Sequence, residues 1–167
     1  MIDRVHELTS QYRAKGVILD ANLLMLLLVG SYDRARIPSF KRTKRYIEDD
    51  YDILRLIIGP FKKFVTTPAI LVEISNLTGA IDSHFDAPFF DLFREYVQNA
   101  YEVYIPSVEL MEISEWLEYG LTDVGIIQAA RQHEYLIITD DMRLHALLEL
   151  AGMDVIGFSN VRGYIYD

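Results

Sequence analysis

Short apolar runs of strand length that end beside acids, each feeding a helical pattern, constrain this chain most. Gly16-Val-Ile-Leu-Asp20 reads as a buried strand closed by a carboxylate, and Tyr135-Leu-Ile-Ile-Thr139 as a second one followed directly by Asp140 and Asp141. Lys63–Thr67, Glu102–Ile105 and Asp154–Phe158 add three more strand candidates. Between them lie helical patterns at 22–29, 48–58, 68–77, 86–99, 107–118, 123–133 and 142–151. Gly30 reads as a C-terminal stop for the first of these. Thr67 followed by Pro68 reads as an N-cap with proline at the first helical position, and Gly120 separates the two helices around it. Strands that alternate with helices predict a parallel sheet covered on both faces, a three-layer α/β/α sandwich.

No repeat, low-complexity tract or Pro/Gly/Ser linker interrupts the pattern, so the 167 residues read as one domain with a core over about 16–158. The segment 31–46 is polar and lacks periodicity, and reads as an inserted loop. A 51% apolar composition excludes a disordered chain. The absence of cysteine excludes disulfides, thiolate metal sites and thiol catalysis. The longest apolar run, Leu23–Val29, is far short of the ~20 residues that cross a bilayer. Its polar N-terminus carries no secretory signal, so a cytoplasmic protein without a membrane partner is expected.

The net charge of −9 is unevenly placed: residues 1–63 hold 12 Lys/Arg against 8 Asp/Glu, and residues 64–167 hold 4 against 17. Within the basic part, Arg34, Arg36, Lys41, Arg42, Lys44 and Arg45 fall in a stretch free of acids, with Phe40 interleaved. Such a loop can follow phosphates while its aromatic ring stacks on a base; it can equally be a solvated loop facing Glu48-Asp49-Asp50. Tyr32, Tyr46 and Tyr51 read as packing residues.

In a parallel sheet, functional groups collect outside the carboxyl ends of the strands. Asp20, Asp140 and Asp141 end strands there, Glu73 lies in the helix after the second strand, and Asp123 opens a helix before the 135–139 strand. Taken singly, Asp141 reads equally as the N-cap of the 142–151 helix, Asp123 as a helix start and Asn22 as a cap. Four segments delivering acids to one rim point instead to a divalent cation. Carboxylate oxygens are the ligands that Mg²⁺ and Mn²⁺ prefer. No glycine-rich nucleotide loop is present, none of His6, His84, His133 and His145 falls in a catalytic motif, and residues 64–167 lack the late lysine a receiver domain needs.

The ordered motifs Leu19-Asp20-Ala-Asn22-Leu-Leu, Thr67-Pro68-Ala-Ile-Leu-Val-Glu73-Ile, Leu121-Thr122-Asp123 and Ile138-Thr139-Asp140-Asp141 resemble those of the PIN-domain nucleases. The resemblance implies a metal-dependent ribonuclease that uses Mg²⁺ or Mn²⁺ and acts on single-stranded or structured RNA. Asp20, Glu73, Asp123 and Asp141 would be its metal-binding and catalytic acids. Asp140 would be a weaker metal candidate, with Asn22 and Thr139 in support. The insertion at 31–50 and a helical segment near 82–99 depart from the small toxins of the family. A toxin paired with an antitoxin, or a non-catalytic module binding RNA or protein, are the alternatives, and homo-oligomerisation stays open. On this reading Asp20→Asn abolishes cleavage and leaves the fold intact, and relief of carboxylate repulsion favours the metal-free protein.

Overall fold

The structure, a computed structural model, describes residues 1–79 and 85–166. It is an α/β/α sandwich around a five-stranded, wholly parallel sheet: β1 (Val17–Leu19), β2 (Phe64–Thr66), β3 (Tyr101–Glu102), β4 (Leu136–Thr139) and β5 (Val155–Gly157), in spatial order β3-β2-β1-β4-β5. β1 and β4 are buried along their whole length, as strands covered on both faces must be. The helices are α1 (Ile2–Tyr12), α2 (Ala21–Tyr32), α3 (Glu48–Ile58), α4 (Pro68–Thr78), α5 (Ala87–Asn99), α6 (Ser107–Met111), α7 (Trp116–His133), α8 (Met142–Leu150) and α9 (Phe158–Tyr166).

The strand order sets where a ligand can go. From β1 the chain moves outward through β2 to β3, then returns across the sheet to β4 and on to β5. The order reverses between β1 and β4, and helices leaving these two strands diverge and open a crevice at their carboxyl ends. Leu19 pairs with Ile138, so the next residues, Asp20 and Thr139, meet at the mouth of that crevice.

Several elements differ from the sequence reading for definable reasons. Gly30 does not end α2, which runs on to Tyr32. Its lack of a side chain serves packing: a Cβ there would stand 2.6 Å from Tyr51 Cγ, inside the space the ring occupies. The strand expected over 102–105 is cut to Tyr101–Glu102, although the Val103 amide still bonds Thr66 O at 2.9 Å. The helix expected over 107–118 stops at Met111, and Trp116 starts the next. Gly120, at φ 83° and ψ 169°, is non-helical and divides α7 into two helical pieces, the break that was expected there. Residues 82–84 of the expected 82–99 segment, including His84, lie outside the described residues.

The segment 33–46 is compact. Arg34–Arg36 form a 3-10 turn, Ile37, Phe40, Thr43 and Tyr46 are buried, and Thr43 Oγ1 donates to Ile37 O at 2.7 Å. Phe40 packs edge-on against Phe85 at 4.8 Å, so its ring is part of the core and cannot stack on a base. Tyr46 and Tyr51 are buried too, the packing role read for them. The terminal helices α1 and α9 had no sequence reading. Polar ties dock them: Arg4 and Tyr12 donate to Asp154 at 2.6 and 2.9 Å, and Arg162 and Tyr166 to buried Asp50 at 2.7 and 3.0 Å. Among the described residues, no helix is long and apolar enough to cross a membrane.

The Gly30 packing gives a direct test. Tyr51 is held by Ser31 and Arg55 and cannot swing away. Overpacking should therefore outweigh alanine's better helix propensity, and Gly30→Ala should cost about 1–3 kcal/mol in urea unfolding. In a Tyr51→Leu background most of that cost should vanish; an unchanged cost would place the strain elsewhere.

Candidate metal centre

Asp20 is the fixed point of the crevice. It is the N-cap of α2, and its Oδ1 accepts the Leu23 amide at 2.8 Å. Its Oδ2 accepts the Thr139 hydroxyl and, at 2.7 Å, the Asp140 amide. One carboxylate thus ties β1 and α2 to β4. These bonds use three of about four acceptor sites, which leaves one lone pair on Oδ1 for a cation. Burial still dominates and pushes the Asp20 carboxyl above its usual range; the three donated bonds pull it back only in part.

Asp141 is held in the same manner. As N-cap of α8 its Oδ1 accepts the Arg143 and Leu144 amides at 2.7 and 3.2 Å, and its own amide donates to Thr139 Oγ1 at 3.0 Å. Capping and ligation are compatible here, since Oδ2 stays unengaged among the described residues. Thr139 is the hub, fully buried between the two acids.

The crevice between them is a cleft of about 250 Å³ whose lining includes Asp20, Asn22, Glu73, Tyr119, Asp123 and Asp141. All four acids expected at the site line it, at the starts of α2 and α8 and within α4 and α7, and among the described residues no cationic side chain does. Tyr119, Gly120, Leu121 and Thr122, around the kink in α7, form part of its wall. The acids sense one another. Asp123 is pushed up to about 7, first by burial and then by the charges on Asp141, Asp20 and Glu73, with Arg143 offsetting a little. Glu73 is raised by burial and by Asp20, and the Arg42 guanidinium partly relieves it. Glu73 and Asp123 accept no hydrogen bond among the described residues, so both can rotate within the cleft.

The donor set fits a hard divalent cation: four carboxylates, two held in place by backbone amides and two without partners, in a cleft lacking counter-charge. In this arrangement of side chains no three acid or imidazole groups among the described residues stand close enough to hold a metal ion between them. Glu73 and Asp123 would have to turn inward to complete a shell.

Other expected residues are placed differently. Asn22 lines the cleft and is exposed, but makes no hydrogen bond to Asp20 among the described residues; Thr139 and two backbone amides give that support. Asp140, expected as a weaker metal candidate, lies outside the lining of the cleft. Its Oδ2 accepts the Tyr46 hydroxyl at 2.7 Å and pairs with Arg45 at 3.1 Å, and its Oδ1 accepts the Ser159 hydroxyl. Three of its acceptor sites are taken, as on Asp20, but unlike Asp20 it is not among the residues that line the acidic cleft.

The six cations also divide. Arg34 pairs with Asp52 at 2.6 Å and Glu48 at 3.8 Å, and Arg36 lies 3.5 Å from Asp33 and over the Tyr32 ring. Arg45 is taken up by Asp140. Lys41, Arg42 and Lys44 are exposed and form no ion pair among the described residues. Tyr119, half-buried in the cleft wall beneath the Arg143 guanidinium at 5.4 Å, had no signal in the sequence beyond its place before Gly120.

No protein-family model matches the chain, and no curated protein matches it. The PIN-domain resemblance therefore rests on the four sequence motifs alone.

The mutual repulsion predicts a pH signature. An acid raised from about 3.9 in the unfolded chain to about 7 in the fold gives up stability as pH rises between those values, and the loss levels off above. Asp123→Asn should therefore melt higher than wild type in metal-free buffer. The advantage should grow by a few degrees from pH 5 to 7 and stay flat to pH 8, as thermal scans with chelator can follow. Asp20→Asn should behave oppositely. Its amide nitrogen must face one of three donors, so the fold loses a cap and melts lower, contrary to the expectation that removing this charge favours the metal-free protein.

Proposed function

We propose that the chain is a metal-dependent nuclease of the PIN type, hydrolysing phosphodiester bonds in RNA at the acidic cleft. The observation that carries the reading is the convergence of Asp20, Glu73, Asp123 and Asp141, from four separate segments, on one cleft at the sheet's switch point. Asp20 and Asp141 would hold the cation through oxygens that amides keep in place, and Glu73 and Asp123 would close the shell from α4 and α7. A bound Mg²⁺ or Mn²⁺ would supply an activated water and charge stabilisation at the leaving oxygen.

The residues of this chain have their own parts. Thr139 keeps the Asp20 carboxylate oriented by donating to its Oδ2, which leaves an acceptor site on Oδ1 for a cation. Asp123, pushed up to about 7 in the cation-free cleft by burial and by the neighbouring acids, would ionise readily beside a divalent cation and serve as one of its ligands. Lys41, Arg42 and Lys44 supply the positive surface that a polyanion needs beside an acidic body, and Arg42 is near enough to the cleft to act on Glu73.

A cleavage assay on labelled single-stranded RNA and DNA, with Mg²⁺, Mn²⁺ or chelator, tests this reading. Glu73→Gln and Asp123→Asn are the informative variants, since neither removes a hydrogen bond of the fold. Each should lower metal-dependent cleavage at least about 100-fold while the melting temperature stays at or above that of wild type. Cleavage that survives chelation, or wild-type activity in both variants, would rule the proposal out. The toxin alternative differs in partner rather than chemistry and predicts the same dependence on these acids.

A further inference from the structure

Outside the cleft, the buried Asp140 carboxylate engages three side chains. It receives Tyr46 and Arg45 from the basic segment and Ser159 from α9, while its amide donates to Asp20. Tyr46 is fully buried, its ring flanked by the Arg45 and Arg162 guanidinium groups at 4.9 and 5.3 Å and edge-on to Phe158 at 6.3 Å. Arg162 donates to Asp50 at 2.7 Å and to the Arg45 carbonyl at 3.4 Å, closing the ring of interactions at the start of α3. The whole assembly grips one stretch of chain, residues 45–46, just after Lys41, Arg42 and Lys44.

We infer that Tyr46, Asp140 and Ser159 form a clasp that holds the Lys41/Arg42/Lys44 cations beside the acidic cleft, so that Asp140 is a positioning residue for nucleic-acid binding. The inference rests on the nuclease reading and assigns to Asp140 a role other than ligation. A flexible basic loop would lose its conformational entropy on meeting each substrate; a clasped one meets it already ordered. The clasp and the Asp20 support share one residue, with the side chain holding the phosphate-binding surface and the amide holding the reactive carboxylate. Misplacing one relative to the other by an ångström is enough to weaken productive binding. Buried Asp140 has no second route to charge balance: Arg45 is the one cation within ion-pair distance among the described residues.

The test uses Tyr46→Phe, which removes the hydroxyl and keeps the ring, and a Lys41→Ala/Arg42→Ala/Lys44→Ala variant as reference. Binding of a fluorescent single-stranded RNA 12-mer is measured with Ca²⁺ across a salt series, with Mn²⁺ affinity by calorimetry and cleavage with Mn²⁺ alongside. Removing a hydrogen bond to a charged acceptor should weaken RNA binding about tenfold and lower the salt slope by about 0.7 for each phosphate that is no longer neutralised. KM should rise, while kcat and Mn²⁺ affinity stay at wild-type values. Asp140→Asn should show the same split, and Tyr46→Phe/Lys41→Ala/Arg42→Ala/Lys44→Ala should bind no more weakly than the reference variant.

A Tyr46→Phe protein that melts lower but binds RNA with the wild-type constant and slope would make the clasp a stabilising element only and overturn the inference. A fall in Mn²⁺ affinity in Asp140→Asn without a change in the salt slope would return Asp140 to the ligand set and overturn it as well. Wild-type protein that binds no oligonucleotide overturns the nuclease reading and this inference together. RNA binding by wild type and Tyr46→Phe alike overturns this inference alone.

Discussion

The hydrogen bonds on Asp20 are the constraint around which the rest is arranged. A carboxylate at the end of a buried strand costs too much to leave bare, and here the sheet itself satisfies it. The register that pairs Leu19 with Ile138 delivers the Thr139 hydroxyl and the Asp140 amide to one oxygen, and α2 delivers the Leu23 amide to the other. Cap, strand pairing and site orientation are one set of bonds. The crevice at the reversal of strand order is thereby firmly braced through Asp20, while its other acids remain poorly compensated.

That lack of compensation runs against stability. Asp123 and Glu73 are half-buried, face other acids, and have no hydrogen-bond partner among the described residues, an arrangement a purely structural cleft would replace with a lysine or an apolar residue. Elsewhere the same chain shows how it treats a buried acid that has no such role: Asp50 is fully buried and carries the Ile47 amide, the Arg162 guanidinium and the Tyr166 hydroxyl. The contrast between Asp50 and Asp123 sets the cleft apart.

What the sequence made legible follows from locality. β1, β4 and their terminal acids could be read because an apolar run and the acid that ends it are neighbours in the chain, and Thr67-Pro68 marked the start of α4 by its own capping chemistry. What it concealed depends on partners far away. α1 and α9 are held by Asp154 and Asp50, about 150 and 112 residues from the residues they anchor. Phe40 read as an exposed ring because its partner Phe85 lies on another segment, and Gly30 read as a helix stop because Tyr51 was invisible. Asp140 is the sharpest case. It sits between Thr139 and Asp141 and differs from Asp141 only in its place and partners, which Tyr46, Arg45 and Ser159 supply.

The central claim is that one divalent cation gathers the four acids of the cleft. A crystal grown or soaked with Mn²⁺ and measured at the manganese absorption edge addresses it without reference to any substrate. The account predicts an anomalous peak within bonding distance of Asp20 and Asp141, with Glu73 or Asp123 turned toward it and Asp140 still bonded to Tyr46. A peak bound through Asp140, or a cleft left empty at saturating Mn²⁺ while Glu73 and Asp123 keep their separate positions, would contradict it.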